Sequence, residues 1–153
     1  MPDTALSRLA DEMAIRTTLD EYCLRLELGS FADWLDLFTP DAVYEVYKLT
    51  LTGHAEIADV LGKAPHGVHI GGPARITLHG ARAETLQNYL FISTSSDEWN
   101  AGWYHREVVR TAAGWKIARC QVKFARKGAL PEDARAQGLA FPIGFGWATP
   151  GRQ

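Results

Sequence analysis

Helical periodicity is confined to the first part of this chain, and four long strand-like segments then follow one another with only short turns between them. Helices that come first, followed by consecutive hairpin-linked strands, predict an α+β fold rather than an alternating α/β one. The first helix is read in "TALSRLADEMAIRTTLDEYCLRLELG". Leu6, Leu9, Ala10 and Met13 form an apolar stripe that Ile15, Leu19, Tyr22, Cys23 and Leu26 continue. Asp3 or Thr4 can cap its start, and Gly29 can stop it. A short second helix, "SFADWLDLFTP", is capped by Ser30 and ends before Pro40. "DAVYEVYKLTLTG" reads as extended, and "HAEIADVLGK" as a third helix.

The strands that follow are "GVHIGGPARITLHG", "RAETLQNYLFISTSS", "NAGWYHREVVRTA" and "GWKIARCQVKFARKG". A curved antiparallel sheet of this size has an apolar face that must be covered, and the three N-terminal helices are the available cover. The result is a cone with an interior pocket suited to a small molecule. A single domain over residues 1–153 is expected, with its core at about 6–126. The tail from 127 to 153 carries Leu139, Phe141, Ile143, Phe145 and Trp147 among glycines and prolines. It is expected to cover the pocket mouth or a subunit interface.

A net charge of −2 with scattered basic residues argues against nucleic acid or an anionic membrane surface as partner. "MPDTALSRLADE" carries acids where a signal peptide needs a basic and then an apolar stretch, which predicts a cytoplasmic protein. Cys23 and Cys120 read as small core residues. "HGVH" at 66–69 is the one close histidine pair and has no second pair, so no metal is expected. No phosphate-binding or dinucleotide glycine motif occurs, so chemistry run by side chains without a cofactor is what remains.

Taken together, "ADWLDLFTPDAVYEV", "VHIGGP" and "WYHREVVRTAAGWKIARCQV" resemble the SnoaL-like branch of the nuclear-transport-factor-like α+β cone superfamily. That group includes scytalone dehydratase, polyketide cyclases, steroid isomerase relatives, hexachlorocyclohexane dehydrochlorinase and the non-catalytic β subunits of ring-hydroxylating dioxygenases. The "VHIGGP" stretch is most similar to scytalone dehydratase, and the resemblance places a general base at His69. It places the acidic partner at Glu27 in "LRLELGSF", a glutamate where those enzymes usually have aspartate. It places a substrate-polarising tyrosine at Tyr47 in "YEVYK" on the first strand. The dehydratase's second histidine falls near Ser95, its asparagine at Tyr104, and the tyrosine beside its helix acid at Leu26. The acid–base pair therefore carries over while the substrate-holding shell differs.

Read from the residues alone, His69 is either a satisfied core histidine or half of an acid–base site, and Glu27 either a solvated helix-end carboxylate or its partner. Alternation along "GWYHREVVR" places Tyr104, Arg106 and Val108 on one face and His105 and Glu107 on the other. If the first set faces inward, Arg106 holds an oxyanion or a substrate carboxylate, or else pairs with a buried acid such as Glu27 or Asp33. With Tyr22, Tyr104 and Ser95 as substrate contacts, the lining suits a hydrophobic cyclic or aromatic molecule. The expected activity is a cofactor-independent, dehydratase-like lyase or isomerase. A non-catalytic structural subunit and a small-molecule binding protein are the alternatives, and a homodimer or homotrimer is expected.

Overall fold

The structure, a computed structural model, describes residues 4–130. Its elements are α1 (Ala5–Leu28), α2 (Phe31–Leu35), β1 (Phe38–Val46), β2 (Leu49–Thr52), α3 (Gly53–Leu61), β3 (Gly67–Gly71), β4 (Arg75–His79), β5 (Arg82–Ser93), β6 (Glu98–Thr111) and β7 (Gly114–Ala129). The strands form one seven-stranded sheet in the order β2-β1-β7-β6-β5-β3, with β4 pairing β5 beyond that path. All pairings are antiparallel except β1 with β7, which is parallel, so the sheet is mixed rather than purely antiparallel. The curled sheet wraps over α1 and makes the α+β cone. No helix among the described residues is long and apolar enough to cross a membrane.

Local chemistry explains the helix ends. The Thr4 hydroxyl accepts from the Ser7 amide and starts α1. Ser30 and Asp33 form a reciprocal capping box on α2, which lets a helix of five residues hold its place. Pro40 does not simply follow α2. It lies inside β1, within the irregular stretch between Phe38 and Val43 where regular pairing with β7 is interrupted, which is where a strand tolerates a missing amide hydrogen.

Two segments read as continuous strands are each broken. "DAVYEVYKLTLTG" becomes the β1–β2 hairpin, and "GVHIGGPARITLHG" becomes β3 and β4, separated by Gly72–Ala74. The apolar stripe of α1 is also split. Ile15, Leu19, Tyr22 and Cys23 are buried, whereas Leu6, Leu9 and Met13 are exposed among the described residues. The core gathers Trp34, Phe38, Tyr44, Tyr22 and Tyr104 around that buried half of α1. β7 runs to Ala129, slightly past the expected core boundary. The expectation for the greasy tail concerns residues 131–153, outside those described.

The long β6–β7 ribbon bends at a register shift between Ala101 and Gly102. A Cβ at Gly102 would lie 1.9 Å from the Lys123 carbonyl oxygen, so only glycine lets the two backbones approach this closely. Gly102→Ala is expected to lower unfolding free energy by roughly 1–3 kcal/mol, as overpacking does. Urea denaturation followed by circular dichroism measures it.

Candidate active site

β3 has an unusual inner face. Gly67 and Gly71 flank His69, so the imidazole is the sole side chain longer than hydrogen on that face of the strand. A Cβ at Gly67 would strike the Phe91 ring at 2.4 Å, and one at Gly71 would come within 2.7 Å of Gln87 Nε2 and 3.3 Å of Cys23 Sγ. These glycines let neighbouring side chains close in on both sides of the histidine. The His69 ring lies 4.7 Å from the Phe91 ring, tilted by 45°. Burial pushes its pKa down to about 4. The nearby Gly67 carbonyl favours the protonated form, but Nδ1 is buried and makes no hydrogen bond of proper geometry. His69 is therefore a neutral imidazole at physiological pH.

Glu27 sits near the end of α1, where the helix passes the edge strand β3. Its Oε1 accepts from the Gly67 amide at 2.7 Å, two residues from His69 along the strand. The structure brings the carboxylate to the same strand end as the imidazole but joins the two by no hydrogen bond. Glu27 is thus half-buried and not bonded to His69. It satisfies an edge amide of β3.

Tyr104 and Arg106 point into the cone, while His105 faces out. The Arg106 guanidinium is 0% exposed. It packs against the Tyr22 ring, 4.2 Å from its centroid, and the Tyr104 ring, at 4.1 Å. Nη1 donates to Gln87 Oε1 at 3.0 Å, whereas Nε and Nη2 are buried and make no hydrogen bond of proper geometry. The buried-acid pairing envisaged for Arg106 does not occur: Glu27 binds Gly67 and Asp33 caps α2. Burial pushes the hydroxyls of Tyr22, Tyr44 and Tyr104 well above the ordinary tyrosine range, that of Tyr89 up to about 12, and the Cys23 and Cys120 thiols upward. These groups around the guanidinium are all neutral. Tyr22 and Tyr44 share a hydroxyl–hydroxyl bond of 2.6 Å, and Tyr89 stacks on Tyr104 at 4.4 Å.

Two placements read from the sequence are corrected. Tyr47 is not on a strand inside the cone but in the β1–β2 turn, with φ of 54° and 74% exposure, its ring stacked on Phe124 at 4.3 Å. The inward tyrosine of β1 is Tyr44, because Ala42 and Tyr44 share the buried face. Ser95 is likewise exposed, in the turn after β5; the buried serine of that strand is Ser93, whose hydroxyl accepts the Ser95 and Ser96 amides. Gln87 was missed altogether. It is buried on the inner face of β5, with Nε2 donating to the Gly72 carbonyl at 2.8 Å and Oε1 accepting from Arg106. Its signal was available in the two-residue alternation of "RAETLQNYLFIS", where Thr85, Gln87, Tyr89, Phe91 and Ser93 fall on one face.

The described residues include no cluster of histidine, cysteine and acidic side chains able to hold a metal. A groove of about 350 Å³ opens on the outer sheet face, between Arg75, Leu86, Trp103, His105 and Lys123, away from His69 and Arg106.

With this geometry in view, the sequence matches the profile of the SnoaL-like domain over residues 7–121. The chain belongs to the SnoaL-like domain family. No curated protein matches the sequence. The fold of this SnoaL-like domain is shared with the type-3 hexachlorocyclohexane dehydrochlorinase of Novosphingobium barchaimii LL02, at 17% identity and a TM-score of 0.76 over 84% of this chain and 96% of that one. It is also similar to a protein of Novosphingobium aromaticivorans provisionally assigned as a scytalone dehydratase (18% identity, TM-score 0.74, 84% and 93% covered). A third similar structure, from the same species, is provisionally assigned as an aromatic ring hydroxylase (24% identity, TM-score 0.68, 80% and 94% covered).

The depressed His69 pKa has a consequence for stability. Its folded value of about 4 lies below the 6.5 of a free imidazole, so the fold favours the neutral form. That contribution is complete above about pH 6.5 and is lost as the pH falls toward 4. Over that window the wild type is expected to lose up to about 3 kcal/mol more stability than His69→Gln. Urea titrations of both proteins at several pH values check this.

Proposed function

We propose that this SnoaL-like domain is a cofactor-independent lyase or isomerase of hydrophobic cyclic molecules, with His69 as general base and Glu27 as its carboxylate partner. The observation that carries the reading is the pairing of two incomplete groups at one strand end. Nδ1 of a neutral, half-buried imidazole makes no hydrogen bond of proper geometry, and the Glu27 carboxylate, anchored through Oε1 at Gly67, carries a second oxygen, Oε2. When Oε2 accepts from Nδ1–H, the other ring nitrogen is fixed as the base and the imidazolium that forms is stabilised.

His69 then removes a proton from carbon beside a carbonyl or a leaving group. In an elimination the C–H electrons form the new double bond, and the leaving group departs with its own bonding pair. In an isomerisation the same proton returns at another carbon. Tyr104, Tyr22 and Arg106 line the wall on which negative charge would develop, and donors fixed in a water-poor site stabilise such charge well. The dehydrochlorinase and dehydratase among the similar structures perform chemistry of this type by name.

A non-catalytic subunit is the second reading, favoured by the dense packing around Arg106 and by the similar structure assigned as a ring hydroxylase. Aliphatic side chains on the outer face, Val68, Ile70 and Leu86 beside Trp103, are exposed and support a homodimer or homotrimer under either reading. Light scattering on the purified protein should give two or three chain masses; a single chain mass would remove the oligomer. The buried, unpaired Cys23 and Cys120 suit a reducing cytoplasm.

Activity is tested with a panel of alicyclic halides, alcohols and ketones. His69→Gln and Glu27→Gln are each expected to lower kcat/KM by about 10²–10⁴-fold while the fold is retained. Unchanged turnover in both variants would remove His69 and Glu27 from the mechanism, and no turnover of any panel member by the wild type would favour the subunit reading.

A further inference from the structure

Two tyrosine rings, with centroids 5.1 Å apart, pack against the Arg106 guanidinium. Its edges are not equivalent. The Nη1 end is engaged by Gln87, and Gln87 is itself fixed from behind by the Gly72 carbonyl. The Cys120 thiol neighbours the guanidinium, but Nε and Nη2 make no hydrogen bond of proper geometry and together present two parallel N–H bonds on one edge. This same edge is used elsewhere in the protein. Arg119 Nε and Nη2 hold the two oxygens of Glu45 at 2.9 and 3.0 Å, a side-on bidentate carboxylate pair.

We propose that the Nε–Nη2 edge of Arg106 is a binding site for a ligand carboxylate, so that the molecule held in the cone is a ring-bearing monocarboxylic acid. The inference rests on the reading that the cone interior is the ligand site, and names the ligand class for it. A buried guanidinium without a counter-charge is costly. Among the described residues no carboxylate is hydrogen-bonded or ion-paired to Arg106, and the tyrosine and cysteine groups around it are neutral. One carboxylate balances this charge, whereas a doubly charged phosphate ester would leave excess negative charge among apolar rings. The planar, two-oxygen geometry of a carboxylate matches the fork. A ring attached to it would lie among the aromatic groups Tyr22, Tyr89 and Tyr104. The Arg106 end is linked to the His69 end by small groups: Gly71 approaches both Gln87 Nε2 and Cys23 Sγ and sits two residues from the imidazole. A carboxylate on Arg106 would therefore orient the rest of a substrate toward the base.

The test compares acid and amide pairs of equal shape, benzoate with benzamide and cyclohexanecarboxylate with its amide, at pH 7 and fixed ionic strength. Binding to the wild type is read by thermal shift and by the NMR resonance of the Arg106 Nε–H. At least one acid should bind about 100-fold more tightly than its amide and shift that resonance. In Arg106→Gln the preference should vanish. The comparison within the wild type stands by itself if that variant does not fold. Acids and amides binding alike, neither binding, or an acid binding with the Arg106 resonance unmoved would each overturn the proposal. Acid binding that persists in His69→Gln while the wild type turns over nothing supports this inference and removes the acid–base reading. Turnover of neutral substrates without acid preference does the reverse.

Discussion

A guanidinium paired with no acid among the described residues dominates the interior of this molecule. Arg106 is wholly buried, and its charge is met by two tyrosine faces and one amide oxygen rather than by a carboxylate. Much of the neighbouring structure is arranged to make that tolerable. Tyr104 is pressed between Arg106 and Tyr89, Tyr22 between Arg106 and the Trp34–Phe38 cluster, and Tyr22 passes its hydroxyl to Tyr44. Helix α1, strand β1 and strands β5 and β6 thus meet through one cation. Replacing a buried ion by apolar groups is often neutral or stabilising, so stability alone does not account for an arginine here.

The same arrangement links the arginine to the histidine. Gly71 and Gly72 have no side chains to hold β3 away from β5, so Gln87 can reach the Gly72 carbonyl with its amide nitrogen and turn its oxygen to Arg106. Gly67 and Gly71 leave His69 as the single projecting group on its face, and Glu27 completes the strand edge through the Gly67 amide. The glycines in "GVHIGG" therefore serve two ends at once. They shape the recess around the imidazole and set the position of the amide that steers the guanidinium.

How much of this could be read beforehand follows from the range of each signal. The order of elements and the inward aim of Tyr104 and Arg106 were legible, because both rest on local periodicity and on Val108 marking the buried face of β6. The face of β5 was not. Its outward side carries the aliphatic Leu86, Leu90 and Ile92 while its inward side carries Thr85 and Gln87, an inversion of the usual apolar-inside pattern that hid Gln87. The Tyr47 turn escaped because a bulky aromatic residue at positive φ is rarely met, and "YEVYKLT" reads as one strand. Ser95 was misplaced because a serine-rich run gives no cue to where the strand ends. That Glu27 would lie near His69 was implied by the family resemblance alone; that it would bond an amide instead of the imidazole depends on packing that no local pattern encodes.

The most direct test of the account is an NMR titration of the His69 imidazole in the wild type and in Glu27→Gln. The account predicts a ring that stays neutral through the physiological range, with a pKa pushed down to about 4 by burial, and lower still once the one carboxylate at its strand end is removed. A ring titrating near 6.5 would contradict its placement inside the cone. A depressed value indifferent to Glu27 would contradict the acid–base pair and leave His69 as a packed core residue.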